Sequence, residues 1–251
     1  VLIFWILKTV RIHKKALPYC MSNMTVKVYK FGGTSVGSVE KIQAIADRIM
    51  SEPADCRHVI VVSAMGQTTD QLIKLSQDIS TTPDSREYDA LISTGENVSA
   101  ALLSMSIIAR GGQAISLSGY QAGIYTCNGH KRAKIVDVKP ERIHAELGKN
   151  KVVVVTGFQG ISDENNVTTI GRGGSDTSAV VLAAALGLSE CEIFTDVDGV
   201  YTTDPRICNH ATKLDYVSYD EMLELASMGA KVLHPRSVEC AKENNIILHV
   251  R

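Results

Sequence analysis

The sequence predicts an α/β fold, a three-layer αβα sandwich around a mostly parallel central sheet. Three observations predict it. Short β-rich runs alternate with stretches of helical spacing along the whole chain. Residues 59–62 (Val-Ile-Val-Val) and 152–155 (Val-Val-Val-Val) are continuously apolar, as strands buried on both faces of a parallel sheet are. Glycines gather where those runs end and helices begin.

In chain order, residues 26–31 (Val-Lys-Val-Tyr-Lys-Phe) alternate and run into Gly32 and Gly33, a strand ending in a glycine turn. Ser38 fits an N-cap, since Val39, Ile42, Ile45, Ala46 and Ile49 follow at helical spacing. After the strand at 59–63 a helix is expected near 72–79, then a polar loop at 80–86. Residues 89–110 read as helix interrupted by Ser93-Thr94-Gly95-Glu96. A short strand at 114–117 gives way to a stretch that reads as irregular as far as Pro140. The strand at 151–156 ends on Gly157-Phe158-Gln159-Gly160, and Gly171-Arg172-Gly173-Gly174-Ser175-Asp176 opens an alanine-rich helix. Residues 193–196 form a strand entering a loop. Ser218 and Glu221 have capping-box spacing, Pro235 suits the first turn of a last helix, and 246–250 is a terminal strand. With no internal repeat or low-complexity linker, residues 24–251 are expected to form one domain. Residues 1–23 read as an appended extension, expected to be poorly ordered.

The 251 residues carry 26 basic and 27 acidic side chains, so no general pull toward nucleic acid or an anionic membrane is expected. An anion site must be local. The six cysteines (Cys20, Cys56, Cys127, Cys191, Cys208, Cys240) are scattered, as reduced thiols of a cytosolic protein are. The histidines lack zinc-ligand spacing, and no metal site built from protein side chains is expected. The apolar start, residues 1–7, precedes its basic residues and is too short to span a membrane, so no membrane association is expected.

In open α/β sheets ligands sit at the carboxyl ends of the strands. Here several such ends are glycine-rich, which lets backbone N–H groups approach an anion closely. The pattern indicates a polyphosphate site. The spacing from Gly32 to Gly37 matches a Walker A loop, but Ser38 stands where the lysine belongs, and G-x-G-x-x-G is absent. Lys30, on the strand itself, can instead reach a transferring phosphoryl group. Arg172 offers a fork for a carboxylate or phosphate beside a helix N-terminus. Asp176 is either a simple cap or an anchor for catalytic lysines. Turn chemistry explains Asp198-Gly199; Tyr201 and Arg206 remain, and suit a nucleotide.

The set formed by Lys-Phe-Gly-Gly-Thr-Ser-Val (30–36), Ser-Thr-Gly-Glu (93–96), Gly-Arg-Gly-Gly-Ser-Asp (171–176), Thr-Asp-Val-Asp-Gly-Val-Tyr-Thr-Thr-Asp-Pro-Arg (195–206) and Lys-Val-Leu-His-Pro (231–235) resembles the aspartokinases of the amino-acid kinase family. The resemblance covers residues 26–251 and implies the amino-acid kinase fold. It implies transfer of the ATP γ-phosphoryl to the β-carboxylate of L-aspartate, the entry step to lysine (through diaminopimelate), threonine and methionine. By motif, Lys30 and Asp176 are the catalytic pair, and Lys30, Phe31, Gly32 and Gly33 hold ATP phosphates. Thr69, Glu96, Arg172 and Ser175 bind aspartate, Glu96 its ammonium and Arg172 with Ser175 its carboxylate. Thr195, Asp196, Tyr201, Arg206 and Lys231 line the nucleotide site. The implied partners are ATP, Mg²⁺ riding on its phosphates, and L-aspartate, in a cytoplasmic enzyme that can be a homo-oligomer. The family continues into two ACT regulatory modules, which are absent here, so feedback by lysine or threonine is not expected. The alternatives are a relative acting on glutamate, carbamate or a nucleoside monophosphate, and a nucleotide-binding subunit without turnover.

Overall fold

The computed structural model describes residues 11–12, 25–197, 199–204, 207–229 and 232–251. The elements in order are β1 (Arg11–Ile12), β2 (Thr25–Phe31), α1 (Val39–Met50), β3 (Cys56–Val62), α2 (Thr68–Ile79), α3 (Ser85–Ile92), α4 (Thr94–Ala109), β4 (Ala114–Leu117), β5 (Ile124–Thr126), β6 (Ile135–Val138), α5 (Glu141–Leu147), β7 (Val152–Thr156), β8 (Gln159–Ile161), β9 (Val167–Thr169), α6 (Gly174–Ala185), β10 (Glu190–Phe194), α7 (Tyr219–Ser227), α8 (Pro235–Asn244) and β11 (Ile247–Val250).

Six strands form one parallel sheet in the order β11-β10-β2-β3-β7-β4. Its inner strands are buried on both faces, so alternate residues feed two cores. Val26 and Val28 of β2, Val59 and Val61 of β3, and Val153 and Val155 of β7 join α5, α6 and α8. Tyr29 and Phe31, Ile60 and Val62, and Val154 join α1 and α4 on the other face. This is the expected three-layer sandwich. The same alternation sends Lys30 toward α6.

The caps read from the sequence are in place. Ser38 accepts from the N–H of Lys41 at 3.3 Å, Ser218 and Glu221 make a reciprocal capping box, and Pro235 opens α8 behind His234. The break in the second helical region falls at Ser93, where α3 hands over to α4. The stretch Ser85–Ala109 is long and apolar enough to cross a membrane by length and composition, but Ala100, Leu103 and Ile107 are core residues.

One expectation is corrected. The stretch between β4 and Pro140 is not irregular, since it contains β5 and β6, which join a second, mixed sheet in the order β1-β6-β5-β8-β9. Strands of three or four residues are too short to carry a readable period, and their partners come from distant sequence. Within the amino-terminal stretch, Arg11–Ile12 pairs parallel with β6, while the rest of 1–24 lies outside the described residues. The second sheet also explains α6. That helix is buried on nearly every side because it lies against both sheets and α8, and alanines with Val180, Val181 and Leu182 fill the space between them.

Candidate active site

The strand order reverses around β2, with β3 on one side and β10 on the other, and the site forms at the carboxyl edge of that crevice. Gly32 N–H donates to the carbonyl of Phe194 at 3.1 Å, tying the ends of β2 and β10 together. Gly66 N–H donates to Gly33 at 3.0 Å, and Gly157 N–H to Val62 at 3.0 Å, so three glycine loops share one edge.

Lys30 points from β2 to the first turn of α6, where its Nζ lies 2.7 Å from Asp176 Oδ1. Both side chains are nearly buried, 11% and 13% exposed, which places a charge pair in a poorly hydrated crevice. Asp176 therefore anchors the lysine. It does not cap its helix, whose N-cap is Gly173 without a side-chain hydrogen bond. Ser175, the residue before, is buried against Gly157. A Cβ on Gly157 would come 2.7 Å from Ser175 Cβ, so only glycine lets β7 meet the start of α6 there.

Glu96 lies in the first turn of α4 and is only 3% exposed. Its Oε1 accepts from the N–H of Ala64, just past β3, at 3.1 Å, while Oε2 is buried with no partner among the described residues. Burial pushes the Glu96 carboxyl up from an ordinary 4.5 to about 7, against the pull of the N–H groups around it. Gly95 makes this approach possible, since a Cβ there would fall 2.9 Å from Ala64 Cβ. A buried oxygen of this kind calls for a cationic donor.

The remaining expected residues are distributed as follows. Phe31, Gly32 and Gly33 lead out of β2, Thr69 is half-buried in the first turn of α2, and Arg172 is exposed on the loop before α6. Thr195 and Asp196 follow β10, the Thr195 hydroxyl donating to Asp196 Oδ1 at 3.0 Å. Tyr201 bridges to Lys213 in an antiparallel ribbon, continued by the Leu214 N–H to Val200 at 2.8 Å. Beside the ribbon lies a cavity of 560 Å³ lined by Val200, Leu214, Tyr219, Leu233 and Ile247 among others. Arg206 and Lys231 lie outside the described residues. A cavity of 340 Å³ bounded by Glu52, Arg57 and His58 opens at the amino end of β3, away from the glycine loops. Among the described residues no group of three or more His, Cys, Asp or Glu side chains is arranged to hold a metal.

The model of the family described as "Amino acid kinase family" matches residues 25–251. The chain belongs to this family. Among curated amino acid kinases it is 53% identical over 229 residues to the "Aspartokinase" of Geobacillus stearothermophilus, and 53% identical to "Aspartokinase 2" of Bacillus subtilis. In each case the match covers 91% of the chain and 56% of the relative, so the chain spans about half the length of the curated relatives it matches. Among solved structures, aspartate kinase from Synechocystis superposes with a TM-score of 0.79 at 52% identity, covering 90% of this chain and 38% of that one. E. coli aspartokinase III in complex with aspartate and ADP gives 0.80 at 29% identity, covering 90% and 61%. UMP kinase from Ureaplasma parvum, at 0.62 and 20% identity, shares the fold.

Sequence reasoning did not single out Asp89 or Arg236, whose hydrogen bonds reach the segments on either side of the loop before α6. The signal for Asp89 was present. It shares a helical face with buried Ile92 and Glu96, three and seven residues on, and a charged residue on an apolar stripe needs buried partners.

Proposed function

We propose that the chain is the catalytic unit of an aspartate kinase, transferring the γ-phosphoryl of ATP to the β-carboxylate of L-aspartate to give 4-phospho-L-aspartate and ADP. One observation carries the choice of an amino acid as substrate: Glu96 holds a buried carboxylate oxygen, unpartnered among the described residues, at the sheet edge that also presents Lys30. An amino acid's ammonium satisfies that oxygen, whereas carbamate and a nucleoside monophosphate bring no cation to it. Arg172, on the loop into α6, and Ser175, in that helix's first turn, take the α-carboxylate, and Thr69 completes the aspartate site. The names of the most similar relatives support the same reading.

The nucleophile is a carboxylate, ionised near neutral pH, so no general base is required. One carboxylate oxygen bonds to the γ-phosphorus as the bond from that phosphorus to the bridging oxygen breaks, and the electron pair leaves on ADP. The difficulty is bringing two anions together. Lys30, held by Asp176, supplies positive charge at the transferring group, and the glycines after Phe31, having no side chains, let the backbone approach it closely. Asp176 is engaged by Lys30, so Mg²⁺ fits best on the nucleotide phosphates, where it neutralises charge. Thr195, Asp196 and Tyr201 hold the nucleotide near the 560 Å³ cavity, whose size suits a base and sugar, and Arg206 and Lys231 are assigned to the nucleotide by their motifs alone. On this reading the product enters the synthesis of lysine, threonine and methionine in the cytoplasm; the free thiols at Cys56, Cys127, Cys191, Cys208 and Cys240 accord with that compartment.

The test is a hydroxamate assay with ATP and Mg²⁺, offering aspartate, glutamate and UMP in parallel, with ADP release followed for each. Aspartyl hydroxamate alone is expected. Preference for glutamate or UMP rejects the substrate, and ATP binding without ADP release on any acceptor identifies a nucleotide-binding unit without turnover.

A further inference from the structure

Asp89 of α3 is completely buried. Both its oxygens lie within 3.1 Å of the Lys131 N–H, and Oδ2 also accepts from the Thr169 N–H at 3.0 Å. Oδ1 accepts from the Thr169 hydroxyl at 2.6 Å, and His130 Nδ1 lies 2.9 Å from Oδ2. A buried carboxylate serving this many donors ties together segments 40 to 80 residues apart in sequence.

What it ties is the base of the Arg172 loop. Ala133 N–H donates to Thr169 at 2.9 Å, making the 130–133 loop and the end of β9 one slab. Gly171, with φ +86°, rests directly on that slab. A Cβ there would lie 3.1 Å from the Lys131 carbonyl and 3.3 Å from Arg132 Cγ. From the other side Arg236 of α8 donates to the carbonyls of Ile170 and Ala133. Arg172 directly follows Gly171 and is exposed. Glu96 stands one helix turn past the α3–α4 break, and Gln159 Nε2 secures that break by donating to the Ser93 carbonyl at 2.8 Å.

We propose that Asp89 is a positioning residue: by clamping the 130–133 loop and β9 to α3, it sets the Arg172 loop at a fixed separation from Glu96. The α3–α4 pair thus carries both the partner of the substrate's ammonium and the anchor of the loop that grips its α-carboxylate. This rests on the reading of Arg172 and Glu96 as the two grips on an α-amino acid.

The test uses the full chain with Asp89→Asn, which keeps the volume but points an NH₂ at N–H donors. Steady-state kinetics are measured for both substrates, and amide hydrogen exchange is followed in parallel. The KM for aspartate should rise about tenfold or more while the KM for ATP stays within about twofold. Inhibition by β-alanine, which lacks the α-carboxylate, should be unchanged. Exchange should quicken at 130–133 and 170–174 but not in the central sheet. Parallel loss for both substrates, or unchanged exchange in those loops, overturns the clamp. If Asp89→Asn does not fold, Thr169→Val removes one hydroxyl bond, and an aspartate KM rise of about threefold or more is expected; an unchanged KM overturns the clamp. A wild-type chain inactive on aspartate rejects the substrate reading instead, and the exchange data still decide the clamp.

Discussion

Glu96→Gln should make the protein more stable relative to wild type as pH rises, while weakening its hold on aspartate. The side chain keeps its shape, and the amide oxygen can still accept from Ala64. What changes is the ability to ionise. In the folded chain burial raises the Glu96 carboxyl from 4.5 to about 7, so between those values the native state holds a proton that the unfolded chain has lost. The stabilising contribution of the protonated form is complete below pH 4.5 and gone once pH passes about 7. That gap corresponds to about 3 kcal/mol. Glutamine has no such dependence. Variant minus wild-type stability, from urea unfolding at a series of pH values, should therefore grow by about 3 kcal/mol across this window and level off above it. The difference cancels any constant cost of an orphaned NH₂ in place of Oε2. Aspartate should stabilise the wild type more strongly at pH 8 than at about pH 5, and the variant little at either. A difference flat in pH would refute the claim that Glu96 is a desolvated carboxylate awaiting a cation.

Three further outcomes are expected. Lys30→Ala should lose phosphoryl transfer and also about 3 kcal/mol of stability by leaving Asp176 buried and unpaired; adding Asp176→Asn should restore much of the stability and none of the turnover, as read by urea unfolding and the hydroxamate assay. Gly157→Ala should cost about 1–3 kcal/mol, because the new methyl presses on Ser175 Cβ and shifts the start of α6; thermal unfolding measures it. Arg172→Ala, at an exposed position, should leave stability within about 0.5 kcal/mol of wild type while raising the KM for aspartate and sparing that for ATP.

Much of this architecture is written locally. The short β-branched runs of β3 and β7, bounded by turns, favour strands covered on both faces, and Ser38, Ser218 and Pro235 mark helix starts through purely local chemistry. Lys30 was legible for a similar reason: alternation along β2 alone sends it to the same face as Val26 and Val28. The small mixed sheet was not legible, since β5, β6, β8 and β9 are too short for a period and exist only through one another. The two readings of Asp176, cap or anchor, also could not be separated until α6 was laid across β2 and Lys30 came within 2.7 Å. Glu96 makes the same point. Its place in Ser-Thr-Gly-Glu marked it as a substrate contact, but the raised carboxyl comes from burial, which outweighs the pull of the Ala64 N–H, at a close approach of α4 that glycine at 95 permits. Sequence by itself determined which groups this protein presents and the strand ends that carry them, because backbone periodicity and turn chemistry act over a few residues. Only the tertiary structure decided which charges are paired, which are left waiting and how rigidly they are held, because desolvation and hydrogen bonding depend on neighbours that the chain supplies from dozens of residues away.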